Sequence, residues 1–142
     1  PGGYAAALYG AAAGLRVAVV EEDTIGGTCL HRGCIPAKAL LQTAEVLRTV
    51  RGSATFGVSA GEPHLDLVAA QARKADVVAR LTKGLTGLLD RRTVTMVPMR
   101  GALATDGRSI IGADGTTVHG EHVLVATGSA PRPFSVPATC AV

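Results

Sequence analysis

The segment GGTCLHRGCIPAK, residues 26–38, holds two of the chain's three cysteines, Cys29 and Cys34, with Pro36 and Lys38 close behind. Two thiols at that spacing can clip a metal, cross-link the chain, sit inert in a core or exchange electrons. A structural zinc needs four ligands, and C-x4-C lies at the edge of the spacings such sites use. The other candidates, His31, His64, His119, His122 and Cys140, are scattered without a second paired cluster, so no metal is expected. A purely structural disulfide is disfavoured in a reducing compartment. Inert buried cysteines remain the plain alternative.

The surroundings favour redox thiols. In a continuous helix, residues five apart are separated by about 7.5 Å along the axis, beyond the roughly 7 Å that a disulfide spans. If Cys29 and Cys34 are to bond, the connection between them must be looped or distorted. Gly33 and the flanking Gly26 and Gly27 supply that freedom. Cys34 falls just before Pro36 at the start of an expected helix, where unpaired N–H groups favour thiolate. Lys38 lies four residues on and shares a helix face with Cys34.

Positioning these groups requires a body. The 142 residues, 47% hydrophobic and 18% charged, are enough for one globular domain. With 18 Gly, no Trp, two Tyr and two Phe, its core must be built from Ala, Val, Leu and Ile packed closely. The net charge of +3 is thinly spread, and the densest basic pairs, Arg73-Lys74 and Arg91-Arg92, have no interleaved aromatics, so no nucleic-acid partner is expected. No run reaches the roughly 18 apolar residues of a membrane span. GGYAAALYGAAAG matches a signal peptide only in hydrophobicity, having no basic region before it, so a cytoplasmic location is expected.

An Ala-rich helix to about Ala13, capped by Gly14, leads into a buried strand over 16–21 that ends in Glu21. This is the second half of a βαβ unit, whose first strand is expected to precede residue 1. A loop is expected over Glu22–Gly33, then an amphipathic helix over 35–50 and a second helix from about Leu65 to Arg91. In that second helix Leu81, Leu85, Leu88 and Leu89 form one stripe, and Gly84 and Gly87 each cost about 1 kcal/mol relative to Ala. From Thr93 the pattern changes to short β-runs, VTMVPM, SIIGA, TTV and HVLVAT, punctuated by the hairpin signals Asp106-Gly107 and Asp114-Gly115. Residues 134–142 read as a linker or an unstructured end.

GGTCLHRGCIPAKALLQTAEV, residues 26–46, resembles the redox-active disulfide signature of the FAD-containing pyridine nucleotide-disulfide oxidoreductases. That family includes dihydrolipoyl dehydrogenase, glutathione reductase and mercuric reductase. The opening PGGYAAALYGAAAGLRVAVVE is similar to the stretch beyond the first two glycines of the family's G-x-G-x-x-G fold. LVATGSAPRP, residues 124–133, resembles the Ala-Thr-Gly segment where the FAD domain gives way to the NAD domain.

The resemblance implies an α/β, Rossmann-like, doubly wound, three-layer FAD-binding domain with a β-meander. It would be present in part over residues 1–133, lacking its first strand, with the NAD-binding and dimer-interface domains absent. It implies Gly3 as the third fingerprint glycine and Glu21 as the acid on the adenosine ribose. Gly27, Thr28, Lys38, Thr127, Gly128 and Ser129 become further FAD contacts, and Gly101, in the strand-turn step Arg100-Gly101-Ala102, meets the adenine. Cys29 becomes the interchange thiol, its exposed sulfur attacked by a substrate dithiol. Cys34 becomes the charge-transfer thiol released against the flavin, and Lys38 stabilises negative charge there. Electrons would pass from a dihydrolipoyl group of a 2-oxo acid dehydrogenase complex through FAD to NAD, in a homodimer.

Within the family, CIPAKALLQTAEV, AGEPHLDL and ARLTKGL look most like the dihydrolipoyl dehydrogenase branch. Reductases of the glutathione, mycothione or mercuric type are the alternative. His31 departs from the residue common at its position in the family, and neither it nor Cys140 is assigned a role. A different class of expectation is a truncated product that does no catalysis, a reactive dithiol on a βα body whose open sheet edge favours aggregation.

Overall fold

Helix α1 (Gly2–Ala12) consists of Ala and Gly with two Tyr and one Leu. Alanine favours the helix, and the small side chains let it approach the next strand: a Cβ on Gly10 would stand 3.1 Å from Val17 Cγ2. As expected, Gly14 ends the helix, at φ +84°, with the Leu15 N–H bonded back to the Gly10 carbonyl at 3.0 Å. The computed structural model describes residues 1–130 and 132–133. The linker expected over 134–142, and Cys140 with it, lie outside the described residues.

Strand β1 (Ala18–Val20) pairs in parallel with β2 (Thr95–Val97), Ala18 opposite Thr95 and Val20 opposite Val97. The Glu21 N–H extends the ladder to the Val97 carbonyl at 3.1 Å. Between the two strands the chain runs through α2 (Gly27–His31), α3 (Cys34–Arg51), a 3-10 turn at Ser53–Phe56 and α4 (Leu67–Arg91). Asp66 caps α4, its Oδ1 accepting the Ala69 N–H at 2.9 Å. Helices α3 and α4 meet at the buried alanines Ala39 and Ala70, and the Arg73 guanidinium donates to the Ala39 carbonyl at 3.1 Å.

Helix α4 runs unbroken through Gly84 and Gly87. Leu89 is fully buried, Leu85 and Leu88 are half-buried, and Leu81 stays largely exposed. The helix ends without glycine. Thr93 takes φ +55°, its N–H bonds the Asp90 carbonyl at 2.9 Å, and the Val94 N–H bonds the Leu89 carbonyl at 3.1 Å. This is the Schellman pattern, in which the residue after the left-handed position packs on the helix's last turn. Leu89 and Val94 accordingly join Ala7 in the core, walled by Leu8, Ala11, Val17, Val19, Ile25, Leu85 and Met96.

Strands β3 (Gly101–Leu103), β4 (Ser109–Gly112) and β5 (Thr117–His119) form an antiparallel meander. Both expected Asp-Gly turns are present, with Gly107 at φ +68° and Gly115 at φ +83°. Asp106 does more than turn the chain. Its Oδ1 accepts the N–H groups of Arg108 and Ser109, each at 2.9 Å, and its Oδ2 accepts the Ser109 hydroxyl at 2.6 Å. These donors, the hydroxyl first, lower its pKa from 3.8 to about 2. Because the folded value lies below the unfolded one, the stabilisation is present above about pH 4 and is lost as pH falls toward 2. We expect thermal melts between pH 4 and pH 2 to fall less steeply for Asp106→Asn than for the wild type; equal slopes would show that this carboxylate does not hold the turn.

Three expectations are corrected. The stretch Glu22–Gly33 is not all loop, because α2 forms inside it. The strand expected over 16–21 is only Ala18–Val20, matching the three residues that β2 offers. HVLVAT, 122–127, forms no strand, and Leu124 and Val125 are 65% and 67% exposed. Its β-propensity finds no neighbouring strand to bond among the described residues, and a strand without a ladder is not held.

Candidate functional site

The two cysteines sit on either side of a helical elbow. The chain leaves β1 through Glu21–Ile25 and turns at Gly26 and Gly27, with φ of +126° and +67°, a region that favours glycine. It then makes the short helix α2 with Cys29 at its centre. The Arg32 N–H closes on the Thr28 carbonyl at 2.9 Å, Gly33 breaks the helix at φ −131° and ψ −109°, and Cys34 opens α3. A Cβ on Gly33 would stand 3.1 Å from the Thr28 carbonyl oxygen and 3.5 Å from Cys29 Cα. Glycine there lets the start of α3 fold against the backbone that carries Cys29. This is the distortion that the spacing of the two cysteines demands.

Both thiols are free. The neighbouring Cys34 side chain is the main cause raising the Cys29 pKa above 9.0, followed by burial and by the charge of Cys34. Lys38, exposed on the next turn of α3, pulls the other way. Cys34 is exposed and Cys29 half-buried, because Cys29 lies inside the elbow and Cys34 stands at the open start of α3. Removing the neighbouring side chain should release Cys29. In Cys34→Ala, the pH midpoint for iodoacetamide alkylation of Cys29 is expected to move down toward 9.0, and an unchanged midpoint would mean that the two sulfurs do not interact.

Around the elbow the other expected site residues fall into two groups. In the first, Gly27 packs on the chain start, where a Cβ would stand 3.2 Å from Pro1 N. A Cβ on Gly3 would stand 3.4 Å from Ala126 Cβ. The start of the chain thereby meets Gly27 at Pro1 and the Ala126–Ser129 segment at Gly3; in that segment Gly128 has φ +74° and Thr127 and Ser129 are exposed. No side chain caps the N-terminus of α1 at this point. In the second group, Glu21 follows β1 and is half-buried, its Oε1 accepting the Asp23 N–H at 3.1 Å. Gly101 opens β3 beside it: a Cβ there would collide with Ile110 Cγ2 and stand 3.1 Å from Val20 Cγ1.

One side chain given no role in the sequence takes part in the elbow. His31, at the end of α2, bonds through Nε2 to the Ile25 carbonyl at 2.9 Å. The paired glycines before Cys29 are the only sequence signal that a side chain could fold back there. With Pro36, His31 also walls an open cavity of about 630 Å³ whose far side is α4 at Lys74, Val78 and Thr82. Among the described residues no three His, Cys, Asp or Glu side chains group as metal ligands, and no helix is long and apolar enough to cross a membrane.

The comparisons with known proteins agree with this layout. A family model described as pyridine nucleotide-disulphide oxidoreductase matches residues 1–141. Dihydrolipoyl dehydrogenase of Chlamydia pneumoniae is 41% identical over 135 residues, 94% of this chain and 29% of that protein. Among solved structures, LpdA from Mycobacterium tuberculosis superposes with a TM-score of 0.79 at 28% identity, over 93% of this chain and 30% of that one. The HOCl-induced flavoprotein disulfide reductase RclA from Escherichia coli gives a TM-score of 0.74 at 26% identity, over 94% of this chain and 27% of that one. The chain thus spans about three tenths of the length of the relatives it matches, and its mixed α/β fold is that of the flavoprotein disulfide reductases.

Proposed function

The chain belongs to the pyridine nucleotide-disulphide oxidoreductase family, and from that premise we propose that it carries the dithiol-exchange site and part of the flavin-binding domain of a dihydrolipoyl dehydrogenase-type enzyme. The observation that carries this reading is the elbow at Gly33, which folds the start of α3, where Cys34 stands, against the backbone of Cys29, two residues whose spacing would hold them apart in a continuous helix.

With the pair oxidised, a thiolate of the substrate dithiol attacks Cys29 Sγ. The Cys29–Cys34 bond breaks, a mixed disulfide forms on Cys29, and Cys34 leaves as thiolate. The second substrate thiolate then attacks the substrate sulfur of that mixed disulfide and displaces Cys29. Substrate leaves as a disulfide, having given two electrons and two protons. Cys29 takes up a proton readily, since the neighbouring Cys34 side chain and burial favour its thiol form. The exposure of Cys34 leaves one face free for a planar electron acceptor, and Lys38 stands one helical turn away with a positive charge.

The residues present fit FAD. The N-terminus of a helix such as α1 suits a pyrophosphate, and Gly3 keeps a Cβ out of the contact with Ala126. Gly3, Gly27, Thr28, Thr127, Gly128 and Ser129 would hold its central part, Lys38 its ring end, and Glu21 with Gly101 its adenosine. FAD bound there would supply a two-electron acceptor for the reduced cysteines, with NAD as the onward acceptor. In the full-length protein we assign residues 1–133 to a doubly wound FAD domain. We further propose a homodimer in the cytoplasm, with a dihydrolipoyl group of a 2-oxo acid dehydrogenase complex as substrate.

The test is a visible spectrum of the protein with FAD, recorded before and after limiting dithiol. A long-wavelength shoulder on reduction supports a Cys34 thiolate against bound flavin. A free-flavin spectrum without that band, in protein whose two cysteines are shown to be reduced, overturns the assignment.

A further inference from the structure

We propose that His31 is a positioning residue for the Cys29–Cys34 pair: its ring clasps α2 end to end and thereby sets how readily the pair forms its disulfide. This inference rests on the dithiol-exchange reading above. A carbonyl oxygen can only accept, so the 2.9 Å contact to Ile25 requires a proton on His31 Nε2. Neutral His31 is therefore the Nε2–H tautomer, and protonation of Nδ1 leaves the bond intact.

The contact spans the whole helix. Ile25 precedes the turn that starts α2, His31 is the last residue of α2, and Cys29 lies between them. A five-residue helix does not hold itself in water, so α2 depends on what ties its ends. Leu30 anchors one side by burial. Beyond its contacts with α3 and α4, the other polar side-chain tie at α2 is the Arg32–Asp23 ion pair at 3.2 Å, with both side chains largely exposed, and such pairs contribute little. That leaves the His31 bond as the polar tie that fixes the rotation of α2 about Leu30, and with it the direction of the Cys29 sulfur. Gly26 completes the arrangement. A Cβ there would collide with Leu30 Cδ2 and stand 3.1 Å from His31 Nε2, so the ring closes over a position where only glycine leaves it room.

A pre-oriented pair has a higher effective concentration of one thiol at the other. Losing the clasp should therefore make the disulfide less favourable at equilibrium with glutathione, where the protein dithiol and glutathione disulfide give the protein disulfide and two glutathione thiols. The experiment is this equilibrium in the full-length protein, read by differential alkylation and mass spectrometry of the peptide that holds both cysteines. It compares wild type, His31→Ala and His31→Gln, the last keeping a side-chain N–H at similar reach.

We expect the equilibrium constant to fall about fivefold in His31→Ala, the scale of one lost partly buried hydrogen bond, and to stay within about twofold of wild type in His31→Gln. Nitrogen-15 spectra of the wild type should show the Nε2–H tautomer. An unchanged constant in His31→Ala, an equal fall in both variants, or an Nδ1–H tautomer overturns the inference. If wild type forms no Cys29–Cys34 disulfide, the dithiol reading itself fails. The clasp is then judged by the tautomer and by whether hydrogen exchange of the α2 amides quickens in His31→Ala but not in His31→Gln.

Discussion

Replacing either Cys29 or Cys34 by serine is expected to lower dithiol oxidation by the full-length protein by at least about a thousandfold, because the two residues act as one unit and neither sulfur alone can accept two electrons from a dithiol. The two variants should fail differently. In Cys34→Ser, Cys29 persists as a thiol able to form a mixed disulfide that no neighbouring sulfur resolves, so an activated small disulfide should leave one stable adduct on Cys29. In Cys29→Ser the remaining Cys34 is exposed at the start of α3, and bound flavin should shield it from the same reagent. Stopped-flow oxidation of a dihydrolipoyl substrate reads the loss, and peptide mass mapping reads the adduct. An adduct on Cys34 that forms as fast as that on Cys29 in the presence of FAD would exchange their roles, making Cys34 the sulfur that meets substrate. Near wild-type turnover in either variant would remove the disulfide from the reaction.

The largest effect on stability is expected at Leu89. Its side chain is fully buried where α1, α4 and the β1–β2 pair meet, against Ala7 and Val94. Leu89→Ala removes apolar contact and leaves a cavity, a change that costs about 2–5 kcal/mol. The upper part of that range is expected, because the Leu89 side chain also supplies the last-turn contact with Val94 at the Schellman end of α4. Its loss therefore loosens the step from α4 into β2. Urea unfolding of the two proteins, compared at equal slope, gives the difference. A loss under about 1 kcal/mol would mean that the site refills by repacking and that the end of α4 does not hold the frame together.

The elements most easily read in the sequence are those whose signals are local. Asp106-Gly107 and Asp114-Gly115 announce their turns because glycine accepts a left-handed conformation there and aspartate bonds its own following amides. Helices α3 and α4 are long enough for their apolar spacing to show, and Gly14 marks the end of α1. Helix α2 escaped because five residues carry less than two turns of periodicity. The end of α4 at Arg91 was legible in the change to short β-runs from Thr93, but its left-handed cap was not, because Thr93 stands where a glycine is usual. HVLVAT carries a strand's composition without a strand's neighbour, and composition cannot reveal which neighbour is present.

The same division runs through the site. The sequence alone determined that Cys29 and Cys34 could meet only across a broken helix, since a rigid helical rise would hold them too far apart, and that Gly33 and the Gly26-Gly27 pair were there to break and turn it. Only the tertiary structure decided which thiol is exposed and which is half-buried, and that His31 reaches back to the Ile25 carbonyl. It alone decided that Gly3 meets Ala126 and Gly101 meets Val20. Helical rise and turn preference belong to a few consecutive residues and are legible in them. Exposure and contact between distant segments depend on which surfaces the whole chain leaves free once its core has closed around Leu89.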